Sequence, residues 1–597
     1  MSEVGPDSST AVEAGSTPDS PPSVRSLDDD GRSLDQVVAL AKRIGRHPLS
    51  VRLLLSRGVE PGPAMDVAFA PRLNRLRPPH EMAGFSDALE LLVHARNEGL
   101  RVGVFGDYDV DGVTTTTILT TYLEALGLEV VAKVAHRDRG YGIGVEDASA
   151  LVDSGAQMVV TGDLGTSDVE ALQWLRDHDI KTIVIDHHQV PEVAPPADAF
   201  INPHQAGCGF PFKGLCSAGV AFYLCAGLRT RLAKAGVGDL PDPRGLLDLV
   251  SLATVCDMMP LEAENRVLVA AGLRHLGQRG RPGLAALLRK SGVDGAEVLD
   301  EGHLGFKLGP RINAPGRLGT ADPSLSLLRA RTDAEAEPLA DRVEMLNAQR
   351  KRQTERIGAE ATAALMADPK LESRAGLMVA DAGWMPGVVG IAANGLVEQF
   401  GRPVAILGID EAAGLARGSV RSCDGVDVRA ALAQCADRLV RFGGHKEAAG
   451  LTVTVDQLPG LIDAFDAAVA EQRASVPARV DEEVVDCELR LTALTTELCD
   501  AIRAAGPFGV GFDRPRFIAR GCLVQRTRVL KERHLAMTLG QSDGKADAIA
   551  FGMAAQEPAR GSSVDVVFVP QIDHFRGEAR VKMHVERFWP SVLTPEN

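Results

Sequence analysis

Short apolar runs alternate with longer stretches of helical periodicity between about residues 91 and 290, the pattern expected of βαβ units feeding a parallel sheet. Three of the runs, "RVGVFGD", "AQMVVTGD" and "KTIVIDHH", read as buried strands, each ending on a carboxylate. Open α/β sheets build their sites outside the C-terminal ends of the strands. Asp107 to Asp111, Asp163 and Asp186 to His188 are therefore expected at one edge of one sheet. Residues 333–367 carry helical periodicity with Gly358 as the only interior glycine. A helix of about 30 residues would span ~45 Å, enough to join two domains. A second α/β pattern occupies roughly 374–470 ("GLMVA", "RPVAILG", "GLTVTV"), and β-branched alternation with turn residues then predicts a small barrel or sandwich of about 100 residues.

The expected organisation is an acidic, Ser/Pro/Gly-rich tail over 1–34, disordered for want of large apolar residues, and a helical region over 35–90. A larger α/β domain over 91–332, a connecting helix over 333–367, a smaller α/β domain over 368–475 and a terminal barrel over 480–597 complete it.

Composition changes this picture little. The chain has 597 residues, 45% apolar and 24% charged, within the range of globular proteins. No apolar run reaches the ~18 residues of a membrane span, and no basic segment followed by an apolar one marks a signal peptide. The nine cysteines form no C-x-x-C pair, so reduced thiols and a cytoplasmic location are expected. The net charge of −16 argues at first against a polyanionic partner, but it is unevenly spread. Residues 1–34 contribute −5, from seven acids against two arginines, and residues 511–597 contribute +3, from 13 basic residues against 10 acids. Overall charge does not decide the matter.

The sharpest local signal is "GDYDVDG" at 106–112, with Asp107, Asp109 and Asp111 at alternate positions. The spacing opens like a calcium loop, yet the twelfth position, where a bidentate Glu belongs, is Ile118, and the preceding segment is strand-like. The other ligands must come from elsewhere. "IDHHQV" sets His187 and His188 at a strand end, and "LVSLATVCDMMPL" carries Asp257 as its only acid, an expensive placement unless that acid is paired or ligating. Asp109, Asp111, Asp163, His187, His188 and Asp257 supply oxygen donors with one or two imidazoles. This mixture suits Mn²⁺ or Mg²⁺ better than a thiolate-rich zinc site.

With these residues in view, "GDYDVDG", the acid of "VTGDLGTS", "DHH" and "TVCDMMP" resemble the four motifs of the DHH phosphoesterase superfamily. "GDYDVDGVTTTTIL", "LGPRINAPGRLG", "WMPGVVGIAA" and "FGGHKEAAG" are more specifically similar to the bacterial RecJ single-strand-specific exonucleases, from about residue 80 to the C-terminus. The resemblance implies a DHH domain and a DHH-associated domain facing each other across a cleft, joined by a long helix, with an oligonucleotide-binding barrel. It implies two Mn²⁺ or Mg²⁺ ions held by Asp109, Asp111, Asp163, His187 and Asp257. His188 would contact the scissile phosphate or complete the ligand set, with Asp107 beside the ligands as a supporting group or a partner for the second ion. The opposite wall would bind the 5′ end through Ser419, Arg421, Gly443, Gly444 and His445, with Arg137, Arg311 and Arg317 as phosphate clamps. Phe508, Phe512 and Phe517, interleaved with Arg514 and Arg516, are candidates for base stacking.

Four positions depart from the family pattern: Leu164 after Asp163, Met385 in "WMPG", and Asn394 and Gly395 in "AANGL". None is a predicted ligand. The implied activity is metal-dependent 5′→3′ hydrolysis of single-stranded DNA to mononucleotides in recombination and repair. Expected partners are the single strand, a single-strand-binding protein and a helicase, with no membrane, and a monomer is the expected state. A DHH phosphodiesterase for short oligonucleotides or cyclic dinucleotides, or a non-catalytic strand-binding module, are the alternatives.

Overall fold

The computed structural model describes residues 22–27, 31–293, 295, 298–423, 425–475, 482–542, 544–575 and 578–592. It divides into two compact units, one of residues 70–479 with 507–512, the other of residues 1–69, 480–506 and 513–597.

The larger unit opens on a five-stranded parallel sheet made of β1 (Val102–Gly106), β2 (Val130–Val134), β3 (Met158–Gly162), β4 (Lys181–Ile185) and β5 (Ala199–Ile201). Their order across the sheet is β2-β1-β3-β4-β5. Every residue of β1 and β3 is buried, which is why these strands read as unbroken apolar runs rather than alternating ones. The register places Gly106 opposite Gly162, Gly162 opposite Ile185, and Ile185 opposite Ile201. The next residues along each strand are Asp107, Asp163, Asp186 and Asn202, so the acids are aligned by the sheet itself.

Strand β1 passes almost directly into helix α1 (Val110–Ala125). A Cβ on Gly106 would lie 2.0 Å from Thr116 Oγ1, and one on Gly112 would lie 2.4 Å from the Asp107 backbone nitrogen. The glycines bracketing the three aspartates are therefore required by close approach. Thr114 to Thr117 are buried in α1, and Thr114, Thr116 and Thr117 donate their hydroxyls to carbonyls one turn earlier at 2.7 to 2.8 Å. That bonding lets a threonine run sit inside a helix.

Helix α2 (Ser217–Lys234) packs against α1, β3 and β4, α3 (Leu247–Cys256) packs on α1 and α2, and α4 (Gly309–Leu318) follows a π-helical turn over His303–Leu308. Helix α5 (Asp333–Met366, capped by Thr332) has 34 residues, about 51 Å of length. It leads to a second sheet of β6 (Leu377–Asp381), β7 (Val404–Asp410), β8 (Leu415–Arg421), β9 (Arg441–Gly444) and β10 (Ala448–Thr454), with helix α6 (Pro386–Phe400) packed on it. The order is β9-β10-β8-β7-β6, parallel only between β6 and β7.

In the smaller unit, β11 (Phe517–Leu530), β12 (His534–Gln541), β13 (Gly544–Ala550), β14 (Ser563–Phe575) and β15 (Glu578–Pro590) form a barrel. The order β11-β12-β13-β15-β14 closes through pairing of β11 with β14, removing the sheet edges. Within the tail expected to be disordered, Ser23–Ser26 instead forms a strand parallel to Glu482–Val485. An available edge offers its backbone groups the partners that local composition could not reveal. Residues 1–21 and 28–30 of that tail lie outside the described residues.

Candidate metal centre

Strand ends and helix ends converge on one cluster. Asp109 is the N-cap of α1, its carboxylate accepting from the Gly112 amide at 3.1 Å. Asp111 accepts from the amides of Ser217 at 2.7 Å and Ala218 at 2.9 Å at the start of α2. Both acids thus face helix N-termini, where the backbone field favours negative charge. Asp163 adopts a φ of 67°, a left-handed turn that aspartate tolerates better than most residues, and it accepts from Ser217 Oγ at 3.1 Å. Asp257 caps the C-terminal end of α3. His187 Nε2 lies 3.2 Å from Asp163, 3.4 Å from Asp257 and 3.8 Å from Asp111.

Three overlapping groups have donor atoms close enough to share a cation: Asp107, Asp109 and Asp163; Asp111, His187 and Asp257; and Asp163, His187 and His188. The residues fit a divalent ion. Asp107 Oδ1 and Asp257 Oδ2 are buried without a hydrogen-bond partner, which is costly for a carboxylate. Burial first, and the neighbouring aspartates second, push Asp107 and Asp163 well above the usual carboxylate range and Asp257 up to about 9. Burial holds His187 below the ordinary imidazole value, which favours the neutral ring that a metal requires. Burial also raises the thiols of nearby Cys216 and Cys256, leaving the hard oxygen and imidazole donors that suit Mn²⁺ or Mg²⁺.

Asp186 does something different. It accepts from the amides of Thr166, His187 and His188 and from His188 Nδ1 at 2.7 Å. Burial would raise it, but the His188 bond prevails and holds it near 2. Burial likewise opposes charge on His188, and Asp186 overrides it, lifting the imidazole to about 9. The Tyr141 hydroxyl lies within 3.2 Å of both His188 ring nitrogens and donates to the Asp163 carbonyl at 2.9 Å. The parts played by Tyr141, Ser217 and Asp186 escaped sequence reasoning. Tyr141 and Ser217 reach the site only through tertiary packing, and the bonds that occupy Asp186 leave no trace in its motif.

A second cluster is cationic. The Arg137 guanidinium lies 4.0 Å from the Tyr108 ring centroid and donates to the Gly316 carbonyl at 3.0 Å. Arg317 donates to the carbonyl of Gly387, at the start of α6, at 3.4 Å. Burial, then repulsion from Arg137, Arg350 and Arg421, lowers Arg317 to about 10. Arg421 and Ser419 lie against α6, where a Cβ on Gly390 would meet them at 2.6 and 3.1 Å. Arg350, on helix α5, also belongs here and was not among the expected residues. Gly443, Gly444 and His445 are exposed at the end of β9.

Two sets of expectations fail. Arg311 is buried and paired with Glu344 at 2.5 Å, with Nη1 donating to the Lys307 carbonyl at 2.7 Å. It is a structural ion pair rather than a phosphate clamp. Phe508, Phe512 and Phe517 are 4%, 6% and 0% exposed, so no base can reach their faces. Phe508 and Phe512 stack on each other in the larger unit, with Arg266 over Phe512, and Phe517 packs against Phe568 inside the barrel.

Against known proteins, the DHH family N-terminal domain matches residues 101–254, the DHHA1 domain 374–471 and the RecJ OB domain 485–587. The chain is similar to the single-stranded-DNA-specific exonuclease RecJ of Escherichia coli strain K12, 35% identical over 581 residues, 94% of this chain and 98% of that one. It also resembles two solved structures of RecJ from Thermus thermophilus. The complex with Mn²⁺ gives a TM-score of 0.78 at 29% identity over 96% of this chain and 80% of that one. The complex with Mg²⁺ gives 0.73 at 28% over 96% and 79%.

Proposed function

The chain belongs to the RecJ family of single-stranded-DNA-specific exonucleases, and on that premise we propose that it removes 5′-mononucleotides from the 5′ end of single-stranded DNA, using Mn²⁺ or Mg²⁺. The observation that carries this reading is the alignment of Asp107, Asp163 and Asp186 by the sheet register, with Asp109, Asp111 and Asp257 brought beside them from helix ends.

Asp107, Asp109, Asp111, Asp163, His187 and Asp257 would hold two cations. Bound there, divalent ions supply Lewis acidity, lowering the pKa of the attacking water and offsetting charge on the phosphate. Water adds to phosphorus, the P–O3′ bond breaks, and the shortened strand keeps a 5′-phosphate. Asp186 outweighs burial and raises His188 to about 9, favouring a protonated ring that would donate to a phosphate oxygen as charge develops. Asp186 and Tyr141 fix the direction of that ring. Arg137, Arg317, Arg350, Arg421 and Ser419 form the anchor for the terminal 5′-phosphate, a role supported by guanidiniums that repel one another until an anion joins them. Gly443, Gly444 and His445 would extend this wall. A monomer acting in the cytoplasm with a helicase and a single-strand-binding protein completes the proposal. No helix among the described residues is long and apolar enough to cross a membrane.

The test is degradation of 5′-labelled single-stranded DNA of about 40 nucleotides, longer than any ~16-nucleotide barrel site, with Mn²⁺ and with chelator. Duplex, RNA and a dinucleotide run beside it. Immediate release of labelled mononucleotide from the single strand, abolished by Asp109→Ala, is expected. Activity confined to the dinucleotide would move the function to the small-substrate branch of the superfamily.

A further inference from the structure

Two costly pieces of backbone flank Asp257, and each pushes an apolar side chain into water. Met258 follows Asp257 directly, about 3.8 Å away along the Cα trace, and has a φ of 56°. A helix commonly ends with a left-handed residue at this point, and glycine fills it at least cost. Here a methionine fills it and is 68% exposed. The π-helical turn His303–Leu308 packs on the same end of α3. The Cys256 thiol donates to the Leu304 carbonyl at 3.6 Å, and a Cβ on Gly309 would lie 2.4 Å from Cys256 Sγ. On that turn Phe306 is 83% exposed, the highest value for any described phenylalanine. Lys307 beside it is exposed, and its ammonium has no ion-pair partner among the described residues.

π-Turns and left-handed non-glycine residues concentrate at functional sites because local energy disfavours them. Two such features converging on one end of a helix, beside one acid of the candidate metal cluster, point to a shared task. An exposed ring, a polarizable thioether and an adjacent ammonium suit the faces and phosphates of unpaired nucleotides.

We propose that Phe306 and Met258 form the base-contacting rim of the cleavage site, stacking nucleobases of the strand next to the scissile phosphate while Lys307 pairs with its backbone. This rests on the nucleic-acid reading above and supplies the stacking surface that buried Phe508, Phe512 and Phe517 cannot.

The test is binding of the full chain to a 3′-labelled strand of about 20 nucleotides, by fluorescence anisotropy, with Ca²⁺ in place of Mn²⁺ to retard cutting. A second strand is identical except that its leading 5′ nucleotides are abasic. Wild type should prefer the intact strand. Phe306→Ala should weaken intact-strand binding roughly tenfold, since one base–aromatic stack is worth ~1–3 kcal/mol, and leave abasic-headed binding unchanged. Phe306→Trp should restore the preference, and Met258→Ala should show a smaller loss of the same kind. Equal wild-type affinity for both strands, no strand binding at all, or equal weakening of both strands by Phe306→Ala would overturn the proposal. A base preference lost in Phe306→Ala, in a protein that cuts nothing with Mn²⁺, would support the rim and refute the nuclease reading.

Discussion

The larger unit gathers like charges twice, and the two clusters are built in opposite ways. The aspartates stand on strand ends and helix ends, placed by the sheet register and, for Asp109 and Asp111, held by backbone amides. The arginines reach inward on long side chains, tethered by single bonds to carbonyls of Gly316 and Gly387. Both collections are unfavourable alone and each awaits a counterion. The rigid cluster suits chemistry, where a small displacement is expensive. The tethered one suits a terminal phosphate, which needs charge more than exact placement.

The comparison breaks most sharply if the acids prove dispensable. Asp163→Asn should lower turnover on the single strand by on the order of 10³-fold, as losing transition-state charge stabilisation does, with the fold intact by circular dichroism. Next comes His188, held from behind by Asp186. Asp186→Asn should cost roughly 10–100-fold, the usual effect of removing a group that orients a metal-site imidazole. Arg317→Ala or Arg421→Ala should cost about tenfold on 5′-phosphorylated strands and much less on 5′-hydroxyl strands. Equal losses on both would separate these arginines from the terminal phosphate.

The mildest test is stability against pH. Asp107, Asp163 and Asp257 have values raised by folding, so their contribution is fully present below the ordinary carboxylate value near 4. It is lost as pH rises through the folded values, about 9 for Asp257. In chelator the Tm should therefore fall between pH 5 and 9, titrating as a coupled set. Mn²⁺ should reverse the trend by favouring the charged forms. A Tm indifferent to both would mean that the acids are not clustered in solution.

What could be read from local pattern was uneven. The clustered acids were legible because Asp107, Asp163 and Asp186 each end a buried strand and Asp257 is the only acid of an apolar run, and an acid so placed needs a partner. Phe508, Phe512 and Phe517 misled because an aromatic beside arginines looks alike whether it faces water or a core. Arg311 misled for the same reason, its partner Glu344 lying 33 positions away. Phe306 carried no local signal, since its exposure comes from a π-turn that periodicity does not encode.

By itself, the sequence determined the parallel sheet, the long helix, the terminal β-domain and which acids were candidates to cluster, because periodicity and the cost of burying charge are local properties. Tertiary structure alone decided which acid is spent on orienting His188, which arginines remain available to an anion, and which aromatics are left open to a base. Those outcomes depend on partners far apart in the chain, and only folding brings them within reach.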